Sequence, residues 1–231
     1  MSSLPGEALD PTLPAVTVPI APTPRAYRAA KRALDLTAAS IGLMLTSPLL
    51  LGIAAAVRAE SPGPVFFRQQ RLGLGGRPFT ILKFRSMHVR ADEGEHRVHI
   101  SRLLRQKGAP SEDATWVPIE SDARVTRVGA LLRRSHLDEL PQLINILRGE
   151  MSLVGPRPPI PYEVELYQPW HLRRLAVIPG LTGLWQAQGW GVLSFDVGVA
   201  LDLEYVDQRS FWLDLSIIMR TIWQILTGRQ F

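Results

Sequence analysis

The chain divides by the spacing of its apolar residues. From Leu36 to Val57 no charged residue occurs. This run contains "ASIGLMLTSPLLLGIAAAV", enough to fill a bilayer core, which takes ~20 apolar residues in helical form. Before it, residues 1–24 carry Pro5, Pro11, Pro14, Pro19, Pro22 and Pro24 and few large apolar groups; they predict a disordered leader. After it, "SPGPVFFRQQRLGLGGRPFTILKFRSM" predicts a turn, a strand, a glycine loop and a second strand, with Phe66, Phe67, Phe79, Ile81 and Phe84 as the β-forming residues. Residues 86–106 predict a polar helix and 107–122 a charged loop. "RVTRVGALLRRS" predicts a short amphipathic helix. "SHLDELPQLINILRGE" predicts another, with Ser135 as N-cap, Asp138 and Glu139 in its first turn and Gly149 closing it. "VGPRPPIP" is extended and rigid. The tail "SFWLDLSIIMRTIWQILTG" has helical apolar spacing, giving a face that packs on the core or lies in a lipid interface. The pattern predicts an α+β fold, mostly helical, with one small β-hairpin.

Ser47-Pro48 interrupts the apolar run. Proline lacks a backbone donor and clashes with the carbonyl four residues back, here Met44, which bends a helix. The Ser47 hydroxyl can serve a carbonyl freed inside lipid. The flanks do not set a crossing direction, because Arg25, Arg28, Lys31 and Arg32 precede the run and Arg58, Arg68, Arg71 and Arg77 follow it. A kinked spanning helix and a re-entrant one both remain open on these residues.

Composition narrows the classes. Hydrophobic residues make up 46% of the 231, ordinary for a globular protein and too few for a multi-span transporter. The formal net charge of +5 favours an anionic partner: nucleic acid, acidic lipid or a phosphate-bearing substrate. No nucleic-acid-binding signature is present. With no cysteine, disulfides and thiol chemistry are excluded.

Three features carry candidate chemistry. Asp92-Glu93 are adjacent carboxylates with Lys83, Arg85 and Arg90 upstream. Neighbours on a helix point about 100° apart, so one can attack phosphorus while the other holds a metal, with the cations neutralising phosphate charge. In "GPRP", Pro156 and Pro158 stiffen the backbone around Arg157, whose guanidinium matches phosphate oxygens. "RLGLGGRPF" lacks the P-loop lysine and serine and suits a β-turn. His88, His96 and His99 lie near the carboxylates but have no third fixed ligand for zinc.

Taken in order, "KRALDL", Ser47-Pro48, "SPGPVFFRQQRLG", "FTILKFRSM", "SDARVTRVGALLRRSHLDELPQLINILRGEMSLVGPRP", "PGLTGLWQAQG" and "LDLEYVDQRSFWLDLSIIMRTIW" resemble the bacterial sugar transferase family, the monotopic phosphoglycosyl transferases. The resemblance runs from about Lys31 to the C-terminus. It implies an enzyme that moves a sugar-1-phosphate from a UDP-sugar to undecaprenyl (polyprenyl) phosphate, releasing UMP with Mg²⁺, to start exopolysaccharide, O-antigen or glycoprotein glycan synthesis. By likeness, Ser47 and Pro48 break a re-entrant membrane helix. Asp92 is the nucleophile and Glu93 a Mg²⁺ ligand. Pro156, Arg157 and Pro158 shape the nucleotide-diphosphate pocket, with Lys83 and Arg85 at the basic strand end. The implied organisation is a leader (1–24), a re-entrant membrane helix-break-helix (25–58) and a catalytic domain with interfacial amphipathic helices (59–231) at the cytoplasmic face of the inner membrane. Its partners are the donor, the acceptor and membrane lipids, not nucleic acid. On this reading the chain is a minimal catalytic unit. One departure is Gly189-Trp190, where relatives often have Gly-Arg; it leaves room for a silent scaffold as the alternative.

Overall fold

The computed structural model describes residues 16–88, 124–189 and 194–227. Helix α1 spans Arg25–Glu60, 36 residues, about 54 Å of rise at 1.5 Å per residue. It stays continuous through Pro48. The donor that Pro48 lacks is replaced locally: the Ser47 hydroxyl donates to the Met44 carbonyl at 2.9 Å, the acceptor named from the sequence. The expected break is therefore a lost backbone bond within one helix, not an interruption of it.

The body behind α1 is small and layered. Strands β1 (Phe66–Leu72) and β2 (Pro78–Phe84) pair antiparallel, with Phe66 opposite Phe84 and Leu72 opposite Pro78. Their connection is a 3-10 turn, Leu74–Gly76, with Gly75 and Gly76 at φ +68° and +83°, where glycine avoids the Cβ clash. Residues 86–88 are extended rather than helical, Met87 bridging to Val125. The remainder of the polar helix expected over 86–106, and the loop 107–122, lie outside the described residues.

Helix α2 (Arg127–Arg134) is capped by Thr126, whose hydroxyl accepts from the Gly129 N–H. Ser135 does not start the next helix, contrary to expectation. It closes α2, its hydroxyl donating to the Leu131 carbonyl at 2.8 Å, and His136 follows at φ 56°. Pro141 explains the difference: no α-helix runs freely through a residue that cannot donate to the carbonyl four positions back. Leu137–Glu139 form a 3-10 turn instead, and α3 (Gln142–Arg148) begins just after the proline and ends at Gly149.

Strand β3 (Ser152–Val154) pairs parallel with β4 (Gly180–Thr182). Between them lie α4 (Pro161–Val164) and a 3-10 helix, Pro169–Ala176. Three helices close the described chain: α5 (Leu184–Gly189), α6 (Phe195–Gln208) and α7 (Phe211–Thr227). Ala39 of α1 packs with Phe79, Ile81, Leu143, Ile146 and Met151. A second core joins Val154, Leu184, Tyr205, Val206 and Ile217.

Both halves of α1 are fastened to this one body. Near its start, Arg32 donates to the Ile146 and Leu147 carbonyls and Asp35 accepts from Leu153 N–H. Near its end, Ile53 and Val57 pack on Phe84 and Leu132. There Glu60 also accepts from the free N–H groups of Arg127 (2.7 Å) and Val128 (2.9 Å) at the start of α2. The middle is bare: Met44, Leu45 and Leu51 are 68%, 71% and 73% exposed. A core helix of this apolarity would be covered, so the exposed stretch marks a surface meant for an apolar medium. On α7, Trp212, Met219 and Leu226 are also exposed.

The described part of the proline-rich leader is not free. Residues 16–24 lie extended on the body: Ala21 N–H donates to the Ala176 carbonyl at 2.9 Å, and Val16 and Val18 pack beside Leu72, Val164 and Leu175. A Cβ at Gly76 would sit 1.7 Å from the Val16 carbonyl oxygen, so the strap passes where only glycine leaves room. Proline removes donors that an extended segment on a surface does not need, which is why a proline-rich composition did not prevent docking.

Candidate active site

The site is built around the turn Gly155–Pro159, which leaves the end of β3. Pro156, Pro158 and Pro159 bring no N–H, and their carbonyls are all taken. Pro156 accepts from Gly180 N–H at 2.9 Å and Pro159 from Leu72 N–H at 3.0 Å. Pro158 accepts from the Arg71 guanidinium at 3.0 Å and Arg157 from Arg174 at 3.2 Å. One residue earlier, the Val154 carbonyl lies 3.1 Å from the Tyr205 hydroxyl. Gly155 allows the close approach of β4: a Cβ there would meet the Ile178 carbonyl oxygen at 2.4 Å. Arg157 is thus carried on a backbone held by four separate elements, the pre-organisation that makes an anion-binding guanidinium effective.

Facing it is a carboxylate pair. Lys83, at the end of β2, forms a salt bridge and hydrogen bond with Glu139. Burial raises the Glu139 pKa, but Lys83 first and then Arg157 and His136 draw it below the ordinary value. Its neighbour Asp138 is 9% exposed. Burial holds the Asp138 carboxyl above its ordinary range against the pull of Lys83. Two adjacent carboxylates with pKa values pushed apart have different aptitudes. The 3-10 turn between Ser135 and Pro141 is what aims them.

The residues singled out from the sequence separate accordingly. Lys83 and Arg157 converge on Glu139. Pro156 and Pro158 are in the turn. Arg85 is buried, with its guanidinium on the Ser61 and Pro62 carbonyls just beyond α1. Asp92, Glu93, Arg90, His96, His99 and Trp190 lie outside the described residues. His88 is described; its backbone N–H donates to the Arg124 carbonyl. Among the described residues no three His, Cys, Asp or Glu side chains gather as a metal cluster.

Sequence reasoning did not bring Asp138-Glu139 beside Lys83 and Arg157, because acidic residues near a helix start have an ordinary use. The overlooked signal was Pro141, which argues that a turn rather than a helix carries them. It also missed Arg71 and Arg174. Arg71 is lowered to about 10, by burial first and Arg157 second. Arg174 is buried against Asp202.

Two carboxylates, two cations that converge on them from β2 and the rigid turn, and a bare apolar helix are the parts that an enzyme handling phosphate beside a membrane would need. The family model for bacterial sugar transferases matches residues 26–228, and the chain belongs to that family. It is 44% identical to the exopolysaccharide production protein ExoY of Rhizobium meliloti, over 87% of each chain. It is 43% identical to the UDP-glucose:undecaprenyl-phosphate glucose-1-phosphate transferase of Caulobacter vibrioides, over 90% of this chain and 74% of that one. The Escherichia coli protein of the same name is 40% identical over 90% of this chain and 43% of its own. The protein is a sugar-1-phosphate transferase.

Proposed function

We propose that the protein transfers a sugar-1-phosphate from a UDP-sugar to undecaprenyl or another polyprenyl phosphate, releasing UMP, in exopolysaccharide synthesis. The relatives' names support the donor and acceptor classes. The observation that supports the phosphate chemistry is the pair of cations, Lys83 and the turn-borne Arg157, that converge near Glu139.

In this reading an Asp92 carboxylate oxygen attacks the β-phosphorus of the donor. The bond from that phosphorus to the bridging oxygen breaks, and UMP leaves with the oxygen and the electron pair. An aspartyl-phosphosugar remains. A phosphate oxygen of the lipid then attacks the same phosphorus, returning the carboxylate and forming the polyprenyl diphosphate sugar. Splitting the transfer lets a water-borne donor and a lipid-borne acceptor use one site in turn. Arg157 and Lys83 offset the charge that builds on the phosphoryl oxygens.

A hard carboxylate oxygen on Glu93 suits Mg²⁺, which takes one or two carboxylates and completes its shell with phosphates and water. Bound there, it would neutralise diphosphate charge. Asp138-Glu139, the carboxylates beside Lys83, are the competing pair, and four variants separate the two in a UMP-release assay over a panel of UDP-sugars. Asp92→Asn and Glu93→Gln abolish turnover, whereas Asp138→Asn and Glu139→Gln retain measurable turnover. The reverse result moves the dyad to 138–139. Full turnover in all four ends the covalent mechanism. Absence of any sugar-phosphate adduct on an otherwise active wild type does the same, and absence of turnover with every donor favours the scaffold.

Membrane seating follows the same lines. Because the stretches flanking the bare segment of α1 are fastened to one body, the chain enters and leaves lipid on the same face, the cytoplasmic one. The absence of cysteine makes single-cysteine labelling clean. Cysteines at Ala26 and Gln69 label from the cytoplasmic side only; label reaching Gln69 from the far side refutes a re-entrant α1.

A further inference from the structure

A buried polar chain joins α1 to the turn that carries Arg157. It begins at Asp214 of α7, 0% exposed. One carboxylate oxygen accepts from Tyr27 and from Lys31 of α1, each at 2.9 Å. The other oxygen accepts from the Tyr205 hydroxyl of α6 at 2.8 Å. The same hydroxyl lies 3.1 Å from the Val154 carbonyl, three residues before Arg157. Burial, and then the Asp214 carboxylate, hold the Tyr205 phenol well above its ordinary range, so it keeps its proton and remains a donor. A second strand of the chain is Asp35 of α1, 3% exposed, which accepts from the Ser152 hydroxyl at 3.0 Å and from Leu153 N–H at 2.9 Å. Two buried carboxylates therefore hold β3, Asp35 directly and Asp214 through Tyr205.

A carboxylate buried for stability alone has better replacements, since packed apolar groups in place of a buried ion pair are often neutral or stabilising. What hydrogen-bonded charges add is geometric definition: the partners have one register and no slack. These contacts lie on the helix that precedes the bare apolar segment and end on the strand that sets Arg157.

We infer that Tyr205 and Asp214 are positioning residues, and that their buried chain sets Arg157 for the donor diphosphate from the depth at which α1 and α7 sit in the lipid. This rests on the reading of Arg157 as the donor's diphosphate ligand. Tyr205→Phe removes one oxygen and leaves the ring, so it cuts the chain at its link to β3 with the least change in packing.

The test uses the full chain in lipid nanodiscs, with Val206→Ala as the control. Val206 is the neighbouring residue, 3% exposed and in the same core, but it takes no part in the polar chain. Tyr205→Phe lowers kcat/KM for the UDP-sugar about tenfold, as a displacement of Arg157 smaller than the 1 Å that costs roughly hundredfold would. The KM for polyprenyl phosphate stays within twofold. Val206→Ala lowers the melting temperature at least as far, yet keeps kcat/KM for the donor within twofold. Asp214→Asn gives the Tyr205→Phe pattern, and more strongly. Hydrogen exchange supplies an arm independent of turnover: amides of Gly155 and Arg157 exchange faster in Tyr205→Phe and not in Val206→Ala. Equal donor kinetics or equal exchange in the two variants overturns the inference. A wild type that turns over no UDP-sugar removes the donor reading instead, and the exchange data then decide positioning alone.

Discussion

Replacing Arg174 with methionine removes the cation from a pair that is 3% and 0% exposed. The guanidinium bonds to Asp202, to the Tyr167 hydroxyl at 3.0 Å and to the Arg157 carbonyl at 3.2 Å. Methionine fills much of the same volume but leaves Asp202 buried without its counter-charge. Breaking a buried pair from one side costs about 3–5 kcal/mol, or roughly 6–20 °C of melting temperature at about 2–4 °C per kcal/mol for a chain of this size. Acid relieves the cost. Burial lifts Asp202 from 3.8 to about 6 even against the pull of Arg174. A folded value above the unfolded one contributes stability that is complete below pH 3.8 and lost as pH rises through about 6. Without Arg174 the carboxyl moves higher still, so the variant falls further behind the parent at pH 8 than at pH 5. Arg174→Met with Asp202→Leu removes the orphaned charge and recovers most of the loss, although the Arg157 carbonyl remains unserved and turnover stays low. Thermal unfolding in detergent at the two pH values reads all of this. A single variant that melts with the parent, or a double variant no more stable than the single, refutes the reasoning.

Two further outcomes follow from separate contacts. Removing residues 1–23 strips the strap from Val164 and Leu175 and lowers the melting temperature, as the loss of about 1–3 kcal/mol would. Gly76→Ala then costs less in the shortened chain than in the full one, because the Val16 carbonyl it would strike is gone; equal costs in both backgrounds mean the strap is not seated there. His171 is buried, its Nδ1 accepting from Gln168 N–H at 3.1 Å. Burial holds its pKa below 6.5 despite Asp196, so this contribution is present above pH 6.5 and lost as pH falls. His171→Gln therefore flattens the decline in melting temperature between pH 7 and pH 5, and an unchanged slope contradicts it.

Much of the architecture was open to inspection in one dimension because it depends on near neighbours. The apolar run of α1, the hairpin from Phe66 to Phe84, the amphipathic α2, the rigid Gly155–Pro159 turn and the tail helix α7 each follow from spacing, proline chemistry or β-propensity within a dozen residues. So does the Ser47 hydroxyl on Met44, a contact within one helical turn. The Ser135 cap failed within the same range, because a capping preference worth about 1 kcal/mol yielded to the about 3 kcal/mol cost of proline inside a helix.

Sequence by itself determined the apolar helix, the first hairpin, the amphipathic α2 and the tail helix, together with the family to which the chain belongs, since those properties reside in local periodicity and motif order. Only the tertiary structure decided which charges meet. Lys83 and Glu139 are 56 residues apart, Tyr27 and Asp214 are 187 apart, and a carboxylate's partner is chosen by chain packing in three dimensions, where burial multiplies the strength of whichever charge lies closest.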